Sequence, residues 1–249
     1  MICITGATSG IGEACAEQFA SRGHSLFLLG RNSQKLSQAK KSLTEKYRIN
    51  VETSEVDLCQ TKSIQDCFNK NEHLFRKVTC LINNAGLARG LGPTYHLSIE
   101  DIEVMIQTNL TALILISKLM IPFFLQNKAG HIINIGSVAG HHVYPNGNVY
   151  CATKSAVRAM TQGLRMDLHG TGIRISEISP GMVNTNFSTT RLGDKNKADQ
   201  VYAGMTPLSA FDIAEAVTWI FERPAHINIE DIIIYPTDQA SPTLVNRKN

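Results

Sequence analysis

Residues 2–12 read ICITGATSGIG, and the following EACAEQFASRG has the apolar spacing of an amphipathic helix. A four-residue apolar run, a glycine-rich loop and a helix in immediate succession leave few folds open. The glycines at Gly6, Gly10 and Gly12 let the main chain turn sharply and come close to a ligand. The charge of a pyrophosphate is favoured at the N-terminus of the helix that follows. The simpler alternative is an ordinary turn into a helix. The strand, loop and helix together argue more strongly for phosphate binding than glycines alone.

The rest of the chain repeats the alternation. Short apolar or β-branched runs at 2–5, 25–30, 51–56, 79–83, 131–136, 173–179 and 231–236 are separated by helix-period segments near 10–22, 33–48, 60–75, 98–126, 148–169 and 209–222. That pattern predicts an α/β fold, a doubly wound seven-stranded parallel sheet with helices on both faces. No repeat, low-complexity tract or linker divides the chain, so residues 1–249 read as one catalytic domain. The one irregular stretch lies between Pro180 and Pro207, a polar, turn-prone segment that reads as a mobile flap near 182–207. It follows a strand's carboxyl end, where open α/β sheets bind ligands.

Composition narrows the function classes. With 43% hydrophobic and 18% charged residues and a net charge of +3, the chain reads as a soluble globular enzyme. Its Lys and Arg are scattered, with only small clusters such as Lys40-Lys41, which gives nucleic-acid binding little support. The six cysteines contain no C-x-x-C pair and read as reduced thiols, with no metal site, in a cytoplasmic protein. The first apolar run meets the glycine loop too soon for a signal peptide. The apolar stretch 110–125 is shorter than the roughly 20 residues of a membrane span and contains Lys118 and Pro122, so it reads as a buried or interface helix.

The loop spacing is G-x-x-x-G-x-G. With NNAG at 83–86 and Y-x-x-x-K at 150–154, TGATSGIG resembles the short-chain dehydrogenase/reductase family of the classical type, whose fold is the Rossmann fold. The likeness runs from Ile2 to beyond Pro236. It implies that Gly6, Thr8, Ser9, Gly10, Ile11 and Gly12 bind a dinucleotide. The second strand ends in Gly30-Arg31-Asn32, where an NAD-binding chain usually places an acidic residue. A guanidinium pairs with the 2′-phosphate of NADP, so NADP(H) is the expected cofactor, although Arg31 could also be a surface arginine opening a helix. Asp57 and Leu58 stand at the family's adenine-contacting place, and Asp57 could equally be a helix N-cap. Asn84, Ala85 and Gly86 line the adenosine side by resemblance, and Asn84 could also brace the sheet.

Tyr150 and Lys154 lie one helical turn apart and share a face. A phenol with a pKa of about 10 is a poor base near neutrality, and a neighbouring ammonium favours phenolate. Ser137 ends a strand in HIINIGS. The resemblance makes it the donor to the substrate oxygen, while a cap of the next turn is the structural alternative. Asn109, inside an apolar helix, would hold a water of a proton relay from Lys154 or would simply be a hydrogen-bonded core residue. By resemblance Pro180, Gly181, Val183 and Thr185 hold the nicotinamide carboxamide, and Lys154 the nicotinamide ribose. Thr185 could instead cap a loop.

The segments 147–174 and 224–236 resemble the subgroup of NADP-dependent 3-hydroxy acid dehydrogenases that also oxidise serine and allo-threonine. The expected substrates are small hydroxy acids or the matching carbonyl compounds. Their carboxylate calls for a cation, and Arg191 is the candidate, against a solvated flap residue. The flap, Asn184-Thr185-Asn186-Phe187, and the turn at His141-His142 depart from the subgroup, which puts the natural substrate in question. The two histidines read as solvated. The alternatives are a broader carbonyl reductase acting on ketones or 3-oxoacyl substrates, and a non-enzymatic NADP-binding regulator. The apolar helices at 98–126 and 148–169 imply a homo-oligomer, a dimer or a tetramer.

Overall fold

The structure, a computed structural model, describes residues 1–248. In chain order it contains β1 (Ile2–Thr5), α1 (Gly10–Ser21), β2 (Leu26–Gly30), α2 (Ser33–Tyr47), β3 (Val51–Glu55), α3 (Thr61–Lys70), α4 (Glu72–Phe75) and β4 (Cys80–Asn83). Then come α5 (Ile99–Ile106), a π-helical turn (Gln107–Thr111), α6 (Ala112–Asn127), β5 (Gly130–Ile135), α7 (Asn148–Asp167), β6 (Ile173–Pro180) and β7 (Val183–Asn184). The chain closes with α8 (Phe187–Leu192), α9 (Lys195–Val201), β8 (Leu208–Ser209), α10 (Ala210–Phe221) and β9 (Asp231–Ile234).

Seven strands form one sheet in the order β3-β2-β1-β4-β5-β6-β9, and every pairing is parallel. Side chains alternate across it with period two. Ile2 and Ile4 join Phe19, Ile213 and Val217 in a core under α1 and α10. Cys3 and Phe27 join Phe68, Phe75, Ile116, Met120 and Phe124 in a second core under α3, α4 and α6. This is the doubly wound α/β fold expected, with strand ends within two residues of the sequence reading. The strand order reverses between β1 and β4, which opens a crevice at the carboxyl ends of both.

The structure corrects four expectations. The helix expected over 60–75 breaks at Asn71, whose side-chain amide donates to Cys67 O at 2.9 Å and Ser54 Oγ at 3.2 Å, so α3 and α4 are separate. The helix expected over 98–126 runs from Ile99 to Asn127, and this 29-residue run is long and apolar enough by composition to cross a membrane, where the apolar stretch 110–125 alone read as too short. Its inner face, with Ile116, Met120 and Phe124, packs into the core. The segment after β6 is not irregular, because it forms β7, α8, α9 and β8. Asp194 caps α9 by accepting from Asn196 N and Lys197 N, and the Tyr202 hydroxyl donates to Val183 O at 2.7 Å. Lastly, Asp57 caps no helix. Its Oδ1 accepts from Cys59 N at 3.0 Å inside a turn, and α3 starts at Thr61 with Gln60 at the N-cap position.

Candidate active site

A cavity of about 650 Å³ opens at the crevice. Its deep wall is the loop after β1. No side chain caps α1 at Ser9, which leaves the first-turn N–H groups free to meet an anion. Gly6 holds φ +64° and Gly10 φ +56°, a conformation that disfavours any side chain. Gly12 does not line the cavity. A Cβ there would lie 2.4 Å from both Asn84 Nδ2 and Gly6 O, so this glycine lets α1 pack against the loop. Asn84 is the brace itself, donating to Thr5 O at 2.9 Å and Gly6 O at 3.2 Å. Around it the cavity meets Thr8, Ser9, Ile11, Ala85 and Gly86.

At the far end Arg31 is exposed and lines the cavity beside Asn32, Asp57 and Leu58. Asn32 also caps α2, its Oδ1 accepting from Lys35 N at 2.9 Å. Lys35 lines the same end and was missed by sequence reasoning. Its spacing of four from Arg31, at the start of a helix, was the available signal. An uncapped helix N-terminus, glycines at positive φ and two cations beyond them suit a dinucleotide carrying an extra phosphate.

At the other end Ser137, Tyr150 and Lys154 line the cavity together, all at most 9% exposed. Ser137 Oγ accepts from Ala139 N at 3.1 Å, which leaves its proton free to be donated into the cavity. Lys154 Nζ donates to Ile135 O at 2.7 Å and lies 6.0 Å from the Tyr150 ring centroid. Burial brings Lys154 down to about 8, against the opposing charge of Glu177. Tyr150 departs from the expected lowering. Burial pushes it well above the usual phenol range, with Ser137 and Arg191 acting in the opposite direction.

Asn109 stands behind the wall, 1% exposed, in the π-helical turn. Its Oδ1 accepts from Leu87 N at 2.8 Å, and its Nδ2 donates to Leu87 O at 2.8 Å and Thr153 Oγ1 at 3.1 Å. The side chain is thus a bonded core amide. Pro180, Gly181, Val183 and Thr185 line the cavity opposite the glycine loop. Thr185 caps the loop, its Oγ1 accepting from Phe187 N at 3.2 Å, and its side chain sits 3.4 Å from the position of a Gly10 Cβ.

Arg191 on α8 is not a solvated flap residue. It is half-buried and lines the cavity, with its guanidinium 5.5 Å from the Tyr144 ring centroid and 5.9 Å from that of Tyr150. It donates to the Tyr144 hydroxyl at 2.9 Å and to Gly90 O at 3.3 Å. Phe187 packs at 5.5 Å on the Tyr150 ring. Tyr144 and Phe187 were missed, because nothing local to VYPNGN or to the flap marks them. His141 is also corrected. Its side chain is 9% exposed and its Nε2 lies 3.2 Å from Asp231 Oδ2 and 3.1 Å from Ser179 Oγ. All six cysteines are free.

Residues 1–196 match the short chain dehydrogenase family. Among curated proteins, the chain is 41% identical over 242 residues to an NADP-dependent 3-hydroxy acid dehydrogenase of Salmonella typhi, covering 96% of both chains. It is 39% identical over 242 residues to sulfoacetaldehyde reductase 2 of Chromohalobacter salexigens, covering 96% of this chain and 95% of the relative. Among solved structures, the closed form of serine dehydrogenase complexed with NADP+ superposes with a TM-score of 0.91 at 36% identity, covering 100% of this chain and 99% of the other.

Proposed function

The chain belongs to the short chain dehydrogenase family, and from that premise we propose that it is an NADP-dependent oxidoreductase acting on small hydroxy acids or their carbonyl counterparts, of the 3-hydroxy acid, serine or allo-threonine type. The observation that carries the substrate class is Arg191, a cation held 5.9 Å from the Tyr150 ring in the same cavity. A substrate whose hydroxyl or carbonyl oxygen meets Tyr150 has its carboxylate within reach of that guanidinium. The relatives fit this reading, since 3-hydroxy acids and sulfoacetaldehyde each carry an anionic group near the reacting carbon.

Gly6, Thr8, Ser9, Gly10 and Ile11, with the N-terminus of α1, hold the pyrophosphate, while Gly12 lets α1 pack against them. Arg31, with Asn32 and Lys35, takes the 2′-phosphate. Asp57 and Leu58 flank the adenine, Asn84, Ala85 and Gly86 the adenosine, and Pro180, Gly181, Val183 and Thr185 the nicotinamide. When bound, the cofactor supplies or accepts the hydride. Ser137 donates a hydrogen bond to the substrate oxygen and stabilises its developing charge. Tyr150, held protonated by its buried position, gives its proton to that oxygen in reduction and takes it back in oxidation. Lys154 holds the nicotinamide ribose, and its ammonium favours the phenolate left behind. Asn109 acts by holding the turn at Leu87 beside Lys154.

The chain functions as one catalytic domain, with the segment 182–207 closing the substrate side, in the cytoplasm. It assembles as a dimer or tetramer through α5–α6 and α7, which expose Ile99, Leu125 and Met166 at 72%, 44% and 67%. The test is purified protein with NADP+ and L-serine, L-allo-threonine or 3-hydroxypropanoate. Growth of the reduced-nicotinamide absorbance supports the reading, and no turnover with any of them sinks it. Turnover of neutral ketones that survives Arg191→Ala would instead favour a broader carbonyl reductase.

A further inference from the structure

Beside the main chain at Ile135 and Gly136, where Ile135 O accepts from Lys154 Nζ at 2.7 Å and Gly136 packs against the Glu177 carboxylate, lies a polar cluster that the reaction as described does not use. Glu177 on β6 is 1% exposed, and its Oε2 has no hydrogen-bond partner. Its Oε1 accepts from Ser179 Oγ at 3.1 Å. The same hydroxyl lies 3.3 Å from Asp231 Oδ1 and 3.1 Å from His141 Nε2, and His141 is paired with Asp231. Gly136, next to Ser137, makes room for this carboxylate, because a Cβ there would fall 2.0 Å from Glu177 Oε1. A buried carboxylate with a free oxygen needs a positive charge nearby, and a buried ammonium needs a negative one.

The charged and titratable neighbours identify that partner. Lys154 is faced by Tyr150 on its own helix, by Ser137 after β5 and by Glu177, the carboxylate whose charge acts on it. Glu177 is faced by Asp231 from β9, by Ser179 on its own strand, and by Lys154 and Thr161 from α7. Arg158 and His142 bear on His141. We propose that Glu177 is a positioning residue for the reaction: its carboxylate, fixed by Ser179 and backed by the His141–Asp231 pair, is the buried counter-charge that keeps Lys154 an ammonium. The proposal rests on the role given to Lys154 above.

The sign follows from the directions of the shifts. Burial brings Lys154 down to about 8 and Glu177 up to about 6, and each opposes the other's shift. Both are charged between those values, and that is the window in which the pair operates. Above it Lys154 loses its proton, and with it the stabilisation of the phenolate.

The test is the pH profile of kcat/KM for carbonyl reduction in wild type and Glu177→Gln, together with NADPH affinity against pH by fluorescence titration. The isosteric variant is expected to move the alkaline limb of both profiles to lower pH by about one unit. Ser179→Ala, which loosens Glu177 without deleting its charge, is expected to move them in the same direction by less, and it serves if Glu177→Gln does not fold. Unmoved limbs in the folded variants overturn the proposal. So does stoichiometric binding of Zn2+ or Mn2+ to wild type that is lost in His141→Asn, which would make the cluster a cation site. NADPH binding is read without turnover, so its pH dependence tests the counter-charge even if no carbonyl substrate is reduced and the proposed function fails.

Discussion

The two ends of the cavity are built by different means. The cofactor end is mainly main chain: a loop with glycines at positive φ, an uncapped helix N-terminus, and Asn84 bonded to the carbonyls of Thr5 and Gly6. The substrate end is made of long side chains from distant segments. Arg191 on α8 reaches Tyr144, 47 residues away, and Gly90, 101 residues away. Main-chain geometry demands particular residues at fixed spacing, whereas side chains reaching across loops do not. The first end therefore suits one cofactor class, and the second is free to change its substrate.

Four perturbations sharpen the contrast. Tyr150→Phe, at the junction of the two ends, removes the proton donor and should lower kcat by about 10³-fold, in the range set by positioned acid–base groups. NADPH affinity, read by fluorescence titration, should change little, and an equal loss of binding would show that the junction is not separable. Arg31→Glu places a carboxylate against the 2′-phosphate, and kcat/KM with NADP+ should fall about 100-fold relative to NAD+. Retained NADP+ preference would move the phosphate site elsewhere.

Gly12→Ala drives a methyl into Asn84 and Gly6. It should cost about 2 kcal/mol of overpacking, seen as a lower Tm and weaker cofactor binding. Asp194→Ala touches only the substrate end. Losing the α9 cap should cost about 1 kcal/mol, read as a few-fold rise in substrate KM with the KM for NADPH unchanged. If the KM for NADPH rose equally, the two ends would be coupled through the flap.

What could be read from the sequence divides along the same line. The sheet was legible because buried parallel strands are short apolar runs and the helices between them keep a 3.6-residue period. Ser137, Tyr150 and Lys154 were legible because their spacing from strand ends and along one helix is local. α8 and α9 were not, since a polar, turn-prone stretch becomes helical through the Asp194 cap and the Tyr202 bond to Val183. The surroundings of Tyr150 show the same limit: the helix spacing shows Lys154, while the burial that raises the phenol comes from the whole fold. His141 looked like a loop histidine because its partners Ser179 and Asp231 lie 38 and 90 residues further along.

The central claim is that a common hydride-transfer site is made selective for acids by one cation on α8. The most direct measurement compares kcat/KM for 3-hydroxypropanoate with that for a neutral alcohol of the same size, in wild type and in Arg191→Ala. The account predicts that the variant loses about 100-fold on the acid, as expected for a charge-assisted contact worth about 3 kcal/mol, and keeps its activity on the alcohol. An equal loss on both substrates, or no loss on the acid, would contradict it.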